Sequence, residues 1–249
     1  PINNILDFDN DEEMVAFTTV ENFDDEGQYV FFTTKKGIVK RTKVSDFKNI
    51  RKTGIIAIGL REDDELFRVR ITDGQSSVVL GSSNGKAIRF AETDVRCMGR
   101  TAYGVKGMDI EDDEEIVGMT YVKDEDAEIL VVTENGYGKR TYVNEYRLQN
   151  RGGKGVKALN VTKRNGKLTA LRSVTEDEDI IIVSDKGIVI RMMVSQISRT
   201  RRATQGVRLI NLRGNQKVST LAVVPKDDED EEYIDIESDT LDTEETIIQ

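Results

Sequence analysis

Seven residues in the middle of the chain have the types and spacing to do chemistry: Gln149-Asn150-Arg151-Gly152-Gly153-Lys154-Gly155. Three glycines and two cations make a loop that can bring backbone N–H groups and positive side chains up to an anion. Other chemistries lack their residues. The chain has no histidine, so it has no imidazole acid, base or metal ligand. Its single cysteine, Cys97, rules out an internal disulfide framework and fits a reducing cytosol. No GxxxxGK[ST] phosphate loop is present. The carboxylate runs, such as Glu111–Glu115, read as solvated turns rather than catalytic pairs or magnesium sites.

The loop sits inside a repeat written four times, from Val30, Val78, Ile129 and Ile180. Its turn glycines are Gly37, Gly85, Gly136 and Gly187, spaced by 48, 51 and 51 residues. A second series, Gly54, Gly104, Gly155 and Gly206, is spaced by 50, 51 and 51. Two series with one period mark an internal repeat of about 50 residues. Each unit holds four short, β-branched segments; in the third they fall near 129–133, 137–143, 155–161 and 168–174. The first segment is apolar throughout, as a strand covered on both faces is. It ends in Asn135-Gly136, a tight-turn signal. The reading is all-β: a propeller-like array of four-stranded blades at 28–72, 76–122, 127–174 and 178–224. Residues 1–24 read as a partial blade, with Met14–Val20 as a fourth strand and its sister strands upstream of Pro1. The chain therefore reads as a piece of a longer protein.

Charge is sorted along the chain. The net charge of −10 divides into −11 on residues 225–249 and +1 on residues 1–224. The acidic stretch from Pro225 cannot offset its chain entropy and reads as disordered. A polyanion tethered there would restrain binding of a second polyanion. Within the repeats, the connections between units are acidic and the long connections between second and third segments are basic. The cations with equivalent places in successive units are Arg51 and Lys52, then Arg100 and Lys106, then Lys139, Arg140, Arg151, Lys154 and Lys157, then Arg201, Arg202 and Arg208. Such a stripe on a nearly neutral body is a footprint for a polyanion, and duplex DNA supplies regularly spaced phosphates. Aromatics are scarce in the basic loops, which argues against base stacking and for backbone contact. Replacing Arg151 and Lys154 by alanine is then expected to weaken DNA binding and leave folding unchanged. There is no apolar run near membrane-spanning length.

At QNRGGKG, and in VTENGYGKRT, GVKGM and QGVRLI, the chain resembles the C-terminal domain of the DNA gyrase A subunit. That family carries a Q-R-R-G-G-K-G box and second strands of the type G-x-[VIA]-x-R. Asn150 stands where the box has an arginine. The family's box lies in its first blade, so this one reads as a second, box-like copy. The resemblance implies a β-pinwheel, in which blades exchange strands with their neighbours. It implies duplex DNA bent around the rim, with Gln149, Arg151, Gly152, Gly153, Lys154 and Gly155 among the contacts. It also implies a cytoplasmic bacterial enzyme, assembled as A2B2 from gyrase A and B subunits, that introduces negative supercoils. Its ATP, Mg2+ and cleavage tyrosine act elsewhere, so no cofactor or catalytic residue is expected here. Two alternatives are the corresponding domain of topoisomerase IV and a protein-interaction propeller; the absence of tryptophan excludes the WD dipeptide of the latter.

Overall fold

Each turn glycine closes a hairpin. Tyr29–Thr34 (β1) turns into Ile38–Lys43 (β2), with Leu66–Thr72 (β3) completing the first unit. Ser77–Ser82 (β4) turns into Lys86–Ala91 (β5), followed by the short Val105–Lys106 (β6) and Ile116–Val122 (β7). Glu128–Thr133 (β8), Tyr137–Tyr142 (β9), Val156–Lys157 (β10) and Leu168–Val174 (β11) form the third unit. Glu178–Ser184 (β12), Val189–Met193 (β13), Val207–Arg208 (β14) and Val218–Pro225 (β15) form the fourth. The computed structural model describes residues 14–50 and 54–226. Gly37, Gly85, Gly136 and Gly187 have φ of 81°, 77°, 79° and 78°, a region that costs an L-residue strain.

The short third strand of the second, third and fourth units leaves its own blade. β6 pairs antiparallel with β2, β10 with β5 and β14 with β9. The resulting blades run β3-β1-β2-β6, β7-β4-β5-β10 and β11-β8-β9-β14, with β15-β12-β13 last. The long connection after each second strand is what lets the chain cross. Before it, each second strand ends in one turn of 3-10 helix, at Val44–Phe47, Glu92–Asp94, Val143–Glu145 and Val194–Gln196.

The cores lie between blades. Phe31 and Val39 pack with Val78, Leu80, Ile88 and Phe90; Val79, Ala87 and Val122 pack with Ile129, Val131 and Leu171. Leu130, Val132 and Val174 pack with Ile180, Ile182 and Val194. Each of these Val, Leu, Ile and Phe side chains contributes about 1.5–3 kcal/mol when fully buried. At the centre, the fourth strands of neighbouring units meet: Leu171 of β11 bridges Gly118 of β7 in parallel. A Cβ on Gly118 would stand 2.4 Å from the Leu171 Cβ, so the close approach depends on glycine. β3, β7, β11 and β15 are therefore the inner strands, and the two-residue exchanged strands are the outer ones.

Met14–Val20 does not form the expected strand. A strand needs a hydrogen-bonding neighbour, and none of the described residues supplies one; Phe17 is 74% exposed. The basic residues Arg51 and Lys52, and the acidic stretch from residue 227, lie outside the described residues.

Candidate nucleic-acid interface

The outer strand of each of the first three blades ends in an exposed cation: Lys106, Lys157 and Arg208. Their registers match, with Lys106 opposite Ile38, Lys157 opposite Lys86 and Arg208 opposite Tyr137. Strand exchange thus carries one positive side chain per blade to the outer edge. Arg96, Arg147, Lys154 and Arg201 are also exposed, in the connections leading to these strands. The Lys106 ammonium pairs with Asp109 at 2.7 Å, an exposed contact of little strength. Arg208 donates to the Tyr137 hydroxyl at 3.0 Å, and Arg164 does so at 3.1 Å. These two guanidiniums hold the Tyr137 phenol below its ordinary pKa. Sequence reasoning missed this Tyr137–Arg164–Arg208 group, because Arg164 belongs to a different connection.

The glycine-rich loop is a seam between repeats. The Gln149 N–H donates to the Arg89 carbonyl at 3.0 Å and the Gly152 N–H to the Gly107 carbonyl at 2.7 Å. The Gly153 carbonyl accepts from the Asp109 N–H at 3.0 Å. Gly155 has φ 72°, and a Cβ there would stand 2.4 Å from the Ala87 oxygen. Two of the loop's N–H groups are therefore spent on protein carbonyls, not held open for an anion. Arg151 is half-buried; its Nε donates to the Asp94 carbonyl at 3.1 Å and its Nη1 to the Lys106 carbonyl at 2.9 Å. Lys154 is the exposed charge of the loop, 3.4 Å from Glu111.

Two expected contacts are corrected by burial. Lys139 is fully buried, and its ammonium donates to the carbonyls of Arg201, at 2.6 Å, and Arg202. Arg140 is 4% exposed and bonds the Ile197 carbonyl at 2.8 Å, Glu128 at 2.6 Å and Glu176 at 3.0 Å. Neither can reach a phosphate, because the crossing connection of the next repeat covers the second strand that carries them. Lys40 in the first repeat does the same work, donating to the carbonyls of Ala57 and Arg100. Burial draws both lysines down to about 8. Arg89 and Arg191, equivalent to Arg140, bond Glu125 at 2.9 Å and Asp179 at 2.7 Å. The arginine of the second-strand motif is a structural clamp in these repeats.

The remaining expected residues divide. Arg100 is half-buried, with its carbonyl held by Lys40. Arg202 is half-buried; its Nη1 donates to the Lys157 carbonyl at 2.9 Å, and its guanidinium lies 6.0 Å from the Tyr146 ring. Tyr146 itself is fully buried. Among the described residues, no cluster of carboxylates and cysteine could hold a metal ion.

A profile of the family described as DNA gyrase C-terminal domain, beta-propeller, matches residues 28–73, 76–123, 127–175 and 178–225. The chain belongs to this family. The DNA gyrase A subunit of Staphylococcus aureus (strain NCTC 8325 / PS 47) is 47% identical over 239 residues, which is 96% of this chain. Those residues are 27% of the relative, so the chain spans about a quarter of the length of the curated gyrase A subunits it matches. The solved C-terminal domain of DNA topoisomerase IV superposes with a TM-score of 0.85 at 28% identity, covering 94% of this chain and 73% of that one. The solved DNA gyrase A C-terminal domain superposes with a TM-score of 0.79 at 26% identity, covering 90% and 74%.

Proposed function

We propose that this chain binds duplex DNA along the outer edges of its blades and bends it around them. The observation that carries this reading is the row Lys106, Lys157 and Arg208, one exposed cation per blade at a shared register. Lys154, Arg147 and Arg201 extend the row. Cations at a fixed interval on separate blades suit phosphates along a curved duplex and read no base edges. Similarity to gyrase A supports the wider reading. The chain is the wrapping part of a gyrase A polypeptide, working in the bacterial cytoplasm with the rest of that polypeptide and with gyrase B in an A2B2 enzyme. ATP and Mg2+ serve that enzyme elsewhere, in negative supercoiling.

A gel-shift titration with mixed-sequence duplexes tests the binding. Six to ten phosphate contacts predict an affinity loss of roughly 10³–10⁵-fold between 50 and 200 mM salt. A slope equivalent to one or two ions overturns a rim-long interface. The higher TM-score to the topoisomerase IV domain favours a second reading, as the corresponding domain of that enzyme. Religation of nicked plasmid on the protein separates the two. A clear change in linking number supports wrapping of the gyrase kind, and none supports the alternative.

A further inference from the structure

The inner strands carry three arginines that the rim does not use. Strand pairing sets Phe31 opposite Arg70, Val79 opposite Thr120, Leu130 opposite Arg172 and Ile181 opposite Ala222. Arg70, Thr120, Arg172 and Ala222 therefore hold equivalent places in four successive inner strands. Arg68 lies two residues along β3, in the place that Gly118 holds in β7, as their partners Thr33 and Gly81 show. β7 thus places only Thr120 and Gly118 between the arginines of β3 and that of β11. Arg68 and Arg172 are half-buried and Arg70 is exposed.

The cluster lacks counter-ions. Arg172 donates to its neighbour's carbonyl, Leu171, at 2.8 Å, and Arg68 lies 5.5 Å from the Phe67 ring. No carboxylate pairs with any of the three among the described residues. Burial, then Arg68 and Arg70, draws Arg172 down to about 10, and burial, then Arg70, lowers Arg68. Arg68 and Arg172 stay charged at neutral pH. Elsewhere the buried Arg89 and Arg140 meet Glu125 and Glu128, and the half-buried Arg151 and Arg202 bond carbonyls of the preceding repeat. Half-buried like charges gathered together without a carboxylate are costly.

The complementary charge is on the same chain. Residues 227–249 hold 12 Asp and Glu and no Lys or Arg. They follow closely on Pro225, the last residue of β15, which is itself an inner strand beside β11. Ala222, the residue of β15 equivalent to Arg172, precedes Pro225 by three residues, so β15 ends about 10 Å beyond that position along the strand. We propose that the acidic segment 227–249 docks on Arg68, Arg70 and Arg172 at the centre of the blades and supplies the carboxylates they lack. Tethering sets its effective concentration in the millimolar range. Arginine forks suit carboxylates in bidentate pairs. A segment held at the centre leaves the outer cations open, so DNA and the segment bind together instead of competing.

The test uses the full chain with Cys97→Ser and a fluorophore attached through Thr240→Cys, since Cys97 is exposed and would also be labelled. Anisotropy is read in about 50 mM salt and again in about 1 M salt, where the Debye length falls to about 3 Å. The expected result is a restrained label at low salt that is released at high salt. Arg68→Gln, Arg70→Gln and Arg172→Gln together should drop the low-salt reading to the high-salt level, and Arg172→Gln alone should drop it part of the way. Lys106→Gln, Lys157→Gln and Arg208→Gln together should leave it unchanged, as should saturating duplex DNA. Circular dichroism confirms that each variant is folded, and the single variant carries the test should the triple one unfold. A label as mobile in the parent as in the arginine variants overturns the proposal. Release by the outer-strand variant or by DNA, with retention in the arginine variants, overturns it too and puts the segment on the rim.

Discussion

Arg151 and Arg202, 51 residues apart, make the same hydrogen bond. Arg151 Nη1 donates to the Lys106 carbonyl at 2.9 Å, and Arg202 Nη1 donates to the Lys157 carbonyl at 2.9 Å. In each case the acceptor is the cation-bearing residue of the exchanged strand one repeat earlier. The guanidinium therefore holds in place the backbone that presents the outer charge of the preceding repeat. This changes what replacement of Arg151 should do. Arg151→Ala removes two inter-repeat hydrogen bonds, each with a net value of about 1 kcal/mol. Urea unfolding should show a loss of about 1–2 kcal/mol, where an exposed cation such as Lys154→Ala should show almost none. Equal stability of the two variants would mean the staple contributes nothing.

The repeat was legible in the sequence because two glycine series share one period, and both series prove to be backbone requirements. Asn135-Gly136 marked its hairpin for the same reason. The exchange of strands was not legible from the residues themselves. A strand such as Val156–Lys157 spans two residues and carries no periodicity, and its partner on β5 lies about 70 positions away. Lys139 and Arg140 were misplaced for a related reason. A Lys-Arg pair reads as surface until the crossing connection that covers it is known, and that connection comes from the next repeat. The box loop was legible as glycine-dependent but not as a seam, because its carbonyl partners, Arg89 and Gly107, belong to the preceding unit.

Gly155→Ala should break that seam. At φ 72° an alanine costs about 1–2 kcal/mol from backbone strain alone. Its Cβ would also stand 2.4 Å from the Ala87 oxygen, and relieving such a clash adds about 1–3 kcal/mol. Gly54, the equivalent residue of the first repeat, has φ 74°, and a methyl group there would meet nothing within 4 Å among the described residues. Gly54→Ala should therefore lose only the strain. Chemical denaturation of the two variants compares them directly. Similar losses would show that the contact between repeats yields without cost.

The outer cations should set the salt dependence of DNA binding. If Lys106, Lys157 and Arg208 each neutralise one phosphate, changing all three to Gln lowers the slope of log affinity against log salt by about 3. Lys123→Gln removes an exposed charge from the end of inner strand β7 and should leave the slope as it is. Titrations at four or five salt concentrations give both slopes. An unchanged slope in the triple variant removes these residues from the interface.

Stability should rise with pH above about 8 through Lys40 and Lys139. Burial draws both ammonium groups down to about 8 in the folded protein, whereas an unfolded lysine titrates at about 10.4. Between those values the unfolded chain binds more protons than the folded one, so the free energy of unfolding increases with pH across that window. Below about 8 both states are protonated, and the buried charge weighs against folding. Deprotonation does not dissolve the clamp, because a neutral amine keeps two N–H donors and each lysine bonds two carbonyls. Lys139→Met removes one titrating group and leaves the carbonyls of Arg201 and Arg202 without their donor. That variant should be less stable than the parent at every pH, and its stability should climb less steeply between pH 8 and the ordinary lysine range. Urea midpoints measured across that range give the comparison. A parent whose stability falls or stays level there, once the common effect of the other groups is subtracted with Lys139→Met, would show that Lys139 keeps an ordinary pKa.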